Sequence, residues 1–228
     1  MNRSNKWWRI FQCGLVASLL VATVGCNPAL LWFLNRGDDK TPAQYPLEAK
    51  DGKKEYTVAI VATANPVLLS YPEFSGIDRE LAANFAQMIV EETAKDKSKV
   101  RVIDQAKVNE IRNKNPLNWD IANRSQLAKD LGADHLIEVD ISKFSLYDKD
   151  FGRDVCKGTA AVNVKVYDAK GDGSAKIEYS HTSQPPLRPT DGSTPMAYKQ
   201  ILLKHLAKDL MHKHVPHTAD RDIPTQLR

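Results

Sequence analysis

The run Tyr56-Thr57-Val58-Ala59-Ile60-Val61-Ala62 constrains the fold more than any other stretch of this chain. It is short, rich in β-forming residues and apolar almost throughout. A strand with one wet face alternates polar and apolar residues, so an unbroken apolar run predicts a strand buried on both faces. A loop follows over residues 65–76, with Pro66 and Pro72. Ser75 or Asp78 then opens a helix with acidic residues in its first turn, as the helix dipole favours. Ile77, Leu81, Phe85, Met88 and Ile89 recur at helical spacing to about Ala94 and form one apolar stripe.

The same alternation continues. Residues 100–104 read as a second short strand, and residues 106–112 as a short helix with Val108 and Ile111 inward, broken by residues 115–120. Residues 125–131 predict another short helix, closed by Gly132, the residue type that best tolerates a left-handed C-terminal position. In residues 135–141, Ile137, Val139 and Ile141 alternate with Glu138 and Asp140, the pattern of a half-buried strand. Val162, Val164 and Val166 share one face of the next strand, residues 159–167. A turn at residues 168–173 leads to a return strand, residues 176–182, so these two predict a hairpin. Ser193-Thr194-Pro195 starts the last helix, with Tyr198, Leu202, Leu206 and Leu210 as its inner stripe and Val215-Pro216 as its end. The order is β-α-β-α-α-β-β-β-α. It predicts an α/β (α+β) fold, a mixed sheet with helices packed on it.

The amino terminus is of another kind. Arg3, Lys6 and Arg9 precede an apolar run over residues 15–22, and small residues follow at Thr23-Val24-Gly25-Cys26. Charged start, apolar middle and small-residue boundary predict a secretory signal. The cysteine directly after that boundary resembles a lipobox, where lipoprotein precursors take a diacylglycerol on the thiol and are cut before the cysteine. Ala22, Val24 and Gly25 fit the pattern; Thr23 stands where leucine is usual. On this reading Cys26 is the lipidation site and becomes the mature terminus, and two or more acyl chains hold the protein to a membrane. Two other readings stay open: an uncleaved helical anchor over residues 10–34, interrupted by Asn27-Pro28, and a soluble secreted product. The basic residues before the run keep the amino terminus cytoplasmic in the first two readings. Both therefore place the domain on the periplasmic or extracytoplasmic side. The expected organisation is signal peptide 1–25, lipidated anchor and linker 26–54, folded domain 55–215 and polar tail 216–228.

Composition removes some function classes. The net charge of +4 is small and spread out, with no Arg/Lys stripe interleaved with aromatics, which argues against nucleic-acid binding. Of the three cysteines, Cys13 leaves with the signal and Cys26 carries lipid, so Cys156 has no partner for an internal disulfide. An unpaired extracytoplasmic cysteine is expected as a small buried hydrophobe.

Four places carry a family resemblance. They are the opening strand followed by Glu80-Leu81-Ala82-Ala83-Asn84-Phe85; the strand ending Val102-Ile103-Asp104; the phrase Leu127-Ala128-Lys129-Asp130-Leu131-Gly132-Ala133-Asp134-His135-Leu136-Ile137; and the hairpin with its closing helix. Over roughly residues 54–214 (a boundary good to a few residues) this resembles a group of bacterial envelope lipoprotein domains. The group includes the amino-terminal domain of TolB, the lipoprotein activators of penicillin-binding proteins, flagellar outer-membrane lipoproteins and the globular part of the curli secretion lipoprotein. The resemblance implies no catalytic motif. The chain departs from the channel member, because residues 146–158 are too short and charged for a transmembrane hairpin.

Candidate chemical residues are few. His205, His212, His214 and His217 cluster near the end of the chain, but no cysteine accompanies them and no zinc spacing appears, so they read as a basic helix end rather than metal ligands. Asp148, Asp150 and Asp154, and Asp168 with Asp172, lack the calcium-loop pattern and read as turn residues. Glu138 and Asp140 are expected on a solvated strand face. Trp119 is either an exposed anchor for a partner or, preferably, a wedge between two short helices. There is no nucleophile elbow, dinucleotide fingerprint or phosphate loop. The expectation is therefore a protein that is no enzyme, needs no cofactor or metal, and is tethered to a membrane through Cys26 to bind an envelope protein. The alternatives are a subunit of an oligomeric export or envelope complex, with a second copy of the chain as partner, and a metal-dependent envelope hydrolase.

Overall fold

The computed structural model describes residues 40–47, 55–95, 100–114, 119, 123–147, 156–185 and 194–218. The signal, Cys13, Cys26, the anchor and Asp148, Asp150 and Asp154 lie outside them. One of two compact units spans Thr41–His217. Inside it, β1 (Tyr56–Ala64) lies in a five-stranded sheet. β2 (Val100–Val102) and β3 (His135–Tyr147) flank it in parallel, and β4 (Cys156–Asp168) and β5 (Ala175–Ser183) continue antiparallel, in the order β2-β1-β3-β4-β5. Val58, Ala59, Ile60, Val61 and Ala62 are all buried, as the unbroken apolar run requires. Parallel neighbours need crossovers. A one-turn α1 (Pro66–Leu69), a 3-10 turn (Pro72–Phe74) and α2 (Ile77–Lys95) join β1 to β2, and α3 (Gln105–Lys114) and α4 (Arg124–Leu131) join β2 to β3. α5 (Pro195–His214) closes the unit.

The helices divide between the two faces of the sheet. On one face Ile60, Ile137, Val139, Ile141 and Val164 meet Ile77, Leu81, Phe85 and Ile89 of α2 and Tyr198, Leu202, Leu206 and Leu210 of α5, all fully buried. Each such side chain contributes about 1.5–3 kcal/mol by burial. On the other face a smaller core joins Ala59, Val61 and Leu136 to Val108 of α3 and Leu127, Ala128 and Leu131 of α4. The ends of the elements follow local chemistry. Thr194 Oγ1 accepts the Ala197 N–H at 3.2 Å ahead of Pro195, and Gly132 takes the left-handed conformation (φ 74°) after α4.

Three expectations are corrected. The loop after β1 holds two short helical turns, because Asn65 Oδ1 accepts the Val67 N–H at 2.9 Å and Pro66 occupies the first helical position. β3 runs on past Ile141 to Tyr147: a register shift between Ile141 and Lys143 reverses the inward phase, so Phe144 and Leu146 continue the core out of step with Ile137, Val139 and Ile141. At a second shift, between Ser145 and Tyr147, Gly158 passes so close to Ser145 that a Cβ would lie 1.7 Å from its carbonyl oxygen. The third correction concerns the expected linker: Tyr45 and Leu47 pack onto the domain, and Leu47 is buried in the larger core.

Candidate functional site

The smaller helical layer covers only part of its face. Along that face the inward row Ala59–Leu136–Tyr167 is followed by Val61–Glu138–Lys165–Glu178 and then by Thr63–Asp140–Asn163–Ser180. The helices cover the first row. The polar rows open into a cavity of about 410 Å³ bordered by Thr63, Asn65, Arg124, Glu138, Asp140, Asn163, Lys165 and Glu178.

Charge is distributed unevenly in this cavity. Arg124, at the start of α4, donates from Nε and Nη2 to Glu138 Oε1 at 2.7 and 2.6 Å, and from Nη1 to the Trp119 carbonyl. Tyr167 Oη donates to Glu138 Oε2 at 3.1 Å. Burial, with the Glu138 charge adding to it, pushes the Tyr167 phenol up to about 12, so it stays a donor at neutral pH. Glu138 is thus held by three donors and ties α4 to the sheet. This corrects the expectation of a solvated Glu138. Lys165 Nζ pairs with Glu178 at 3.3 Å, and Ser180 Oγ donates to Asn163 Oδ1 at 2.8 Å. Asp140 accepts only the Thr63 hydroxyl, at 3.4 Å, and no cation pairs with it among the described residues. Of the five charged groups facing the cavity, Asp140 alone has no ion-pair partner among the described residues.

Trp119 is the wedge rather than the anchor. It is 4% exposed, lies in the smaller core, and has the guanidinium carbons of Arg112 and Arg124 at 5.6 and 5.9 Å from its ring. Arg112 in turn pairs with the buried Asp78 at 2.8 Å. Cys156 is buried in the larger core. Asp168 Oδ1 accepts the Lys170 N–H and Asp172 Oδ1 the Ser174 N–H, at 3.0 and 2.9 Å, which is turn chemistry.

The histidines separate. His205 meets Ser183 Oγ through Nδ1 at 2.9 Å, and Asp209 Oδ2 through the same nitrogen at 3.2 Å. His181 Nε2 lies 3.2 Å from that carboxylate oxygen, and Ser183 Oγ donates to it at 2.6 Å. A catalytic serine, histidine and carboxylate use the two different ring nitrogens. Here serine and carboxylate share one nitrogen and Ser183 is only 1% exposed, so the group is not a nucleophilic triad. Burial alone would raise the Asp209 carboxyl; the hydrogen bonds from His181 and Ser183 and the charges of both histidines outweigh it and hold Asp209 below the usual range. His212 stacks on His217, with centroids 3.7 Å apart. His214 stands at the expected helix end but is 1% exposed, and burial drives its imidazole down to about 4. Among the described residues no group of three or more His, Cys, Asp or Glu is arranged to hold a metal ion. No helix of those residues is long and apolar enough to cross a membrane.

No protein-family model and no curated protein matches the chain. Similar solved structures include a PelC dodecamer from Paraburkholderia phytofirmans, with TM-score 0.43 and 13% identity, covering 77% of this chain and 95% of that one. A lipoprotein from Neisseria meningitidis has TM-score 0.40 and 12% identity, covering 68% and 96%. A protein from Xanthomonas campestris has TM-score 0.42 and 12% identity, covering 76% and 91%. Likeness at this level says nothing of activity, ligand or assembly.

Proposed function

We propose that this chain is a non-catalytic, lipid-anchored envelope protein that binds another protein on the uncovered half of its sheet. The observation that carries the reading is the polar cavity in which Arg124 and Lys165 are already paired while Asp140 has no cation among the described residues. A cationic side chain of a partner fits there, flanked by the neutral hydrogen-bonding groups of Thr63 and Asn163. The boundary at Cys26 and the resemblance to envelope lipoprotein domains support the anchoring, and tethering raises the local concentration of the domain without new contacts. A second reading, a subunit of an oligomeric envelope complex, is favoured by β5, which ends the sheet and offers a nine-residue edge for strand pairing. The test has two arms. Intact-mass analysis of the full chain and of Cys26→Ser is expected to show lipid on the first alone. Affinity capture from membrane fractions is expected to recover a protein partner that Asp140→Lys loses. A partner held equally by Asp140→Lys contradicts the binding site, and an uncut chain without lipid contradicts the anchor.

A further inference from the structure

The segment around Tyr45 lies between the expected anchor and the domain, yet it is docked. The Tyr45 N–H donates to the Lys213 carbonyl at 2.7 Å, at the end of α5. Its ring stacks on Tyr179 of β5, with centroids 4.5 Å apart and planes 14° apart. Lys213 Nζ donates to Gln44 Oε1 at 3.0 Å, and Leu47 is buried. At the centre sits His214. Its Nδ1–H donates to the Tyr45 carbonyl at 3.1 Å, and its Nε2 accepts from Tyr179 Oη at 2.9 Å. Only the neutral ring, as the Nδ1–H tautomer, makes both bonds in these directions.

We propose that residues 44–47 form a releasable strap, closed by neutral His214 and opened when that ring is protonated, and that the strap sets how far the domain reaches from its anchor. The groups facing His214 are Tyr45 from the strap, Tyr179 from β5, the Phe85 ring from α2 at 6.2 Å, and the charge of Lys213 on its own helix. Burial, with the Lys213 charge, disfavours an imidazolium and outweighs the hydrogen bond to the Tyr45 carbonyl, which favours it; no carboxylate faces the ring among the described residues. Acid therefore favours whichever state lets the ring reach water. Lifting Tyr45 does this while leaving the stripes of α2 and α5 on the sheet.

The consequence for reach rests on lipidation at Cys26. With the strap closed, about 18 residues separate the lipid from Gln44 and span at most about 60 Å; with it open, about 30 residues lead to Tyr56 and span at most about 100 Å. The strap itself is testable without the lipid. Hydrogen exchange of the full chain in detergent micelles, corrected for intrinsic rates, reads the Tyr45 amide against those of Val58–Val61 in β1. Protection at Tyr45 is expected to fall on the order of 100-fold between pH 7 and pH 4, a tenfold change per pH unit once the open form alone takes the proton. β1 is expected to stay protected. His214→Gln is expected to remove this pH dependence. Tyr45→Ala is expected to expose the strap at both pH values without opening β1, which keeps the idea testable should His214→Gln disturb folding. Strap protection that persists at pH 4, or that is lost only together with β1, overturns the proposal. Intact mass reports lipidation separately, so failure of the anchor and failure of the strap are distinguishable.

Discussion

The two faces of one sheet use the same strands differently. On the α2/α5 face, Ile60, Ile137, Val139, Val164 and Tyr198 leave no polar row between β1 and β4, and the layer is closed. On the other face, the end of the sheet under α3 and α4 carries Ala59, Leu136 and Tyr167, and farther along the same strands the face turns polar at Glu138, Asp140, Asn163 and Lys165. The first face holds the larger apolar core. The second gives up apolar burial along its polar rows and keeps a surface that can be wetted or occupied. Arg124 and Glu138 mark the border between the two regimes. Their ion pair, 8% and 13% exposed, is where the helical cover stops.

Substitutions should separate the faces in order of size. Phe85→Ala empties a fully buried ring site on the closed face and is expected to cost about 3–5 kcal/mol in chemical denaturation. An unchanged midpoint would break the assignment of that face as the larger apolar core. Acid should act on the same face through His214. Its folded value, about 4, lies below the unfolded 6.5, so the unfolded chain binds a proton that the folded chain does not. Stability from this group is complete above about pH 6.5 and falls as pH drops to about 4, by up to roughly 3 kcal/mol. His214→Gln is expected to flatten that window in a pH series of melts. At the border, Arg124→Ala removes three charge-assisted hydrogen bonds and is expected to cost about 1.5–3 kcal/mol. On the open face, Asn163→Ala is expected to stay within about 0.5 kcal/mol of the parent. Chelator is expected to leave the melting temperature unchanged; a large fall would put a metal into the account.

Much of the closed face was legible because it obeys one period at a time. The stripe Leu81, Phe85, Ile89 and the alternation Ile137, Val139, Ile141 each point inward over their whole length. Legibility ended where the period broke. The shift after Ile141 moves the inward phase to Phe144 and Leu146, and no local residue signals it. The open face was half legible. Glu138 and Asp140 stood out as polar on a strand, but their different roles depend on Arg124, 14 residues from Glu138 and placed by a separate helix. Tyr45 and Leu47 gave less, since two apolar residues around Pro46 in a polar stretch look like linker. His214 read only as part of a basic helix end, because its contacts with Tyr45 and Tyr179 are remote in sequence.

The central claim is that the open half of the sheet is the partner side of the molecule. A photo-crosslinking residue placed at position 163, and separately at the exposed position 90 on α2, in the full chain in its native cells tests this most directly. The account predicts a discrete protein adduct from position 163 that is absent from position 90 and lost on adding Asp140→Lys. Equal adducts from both positions, or an adduct from position 90 alone, would contradict it.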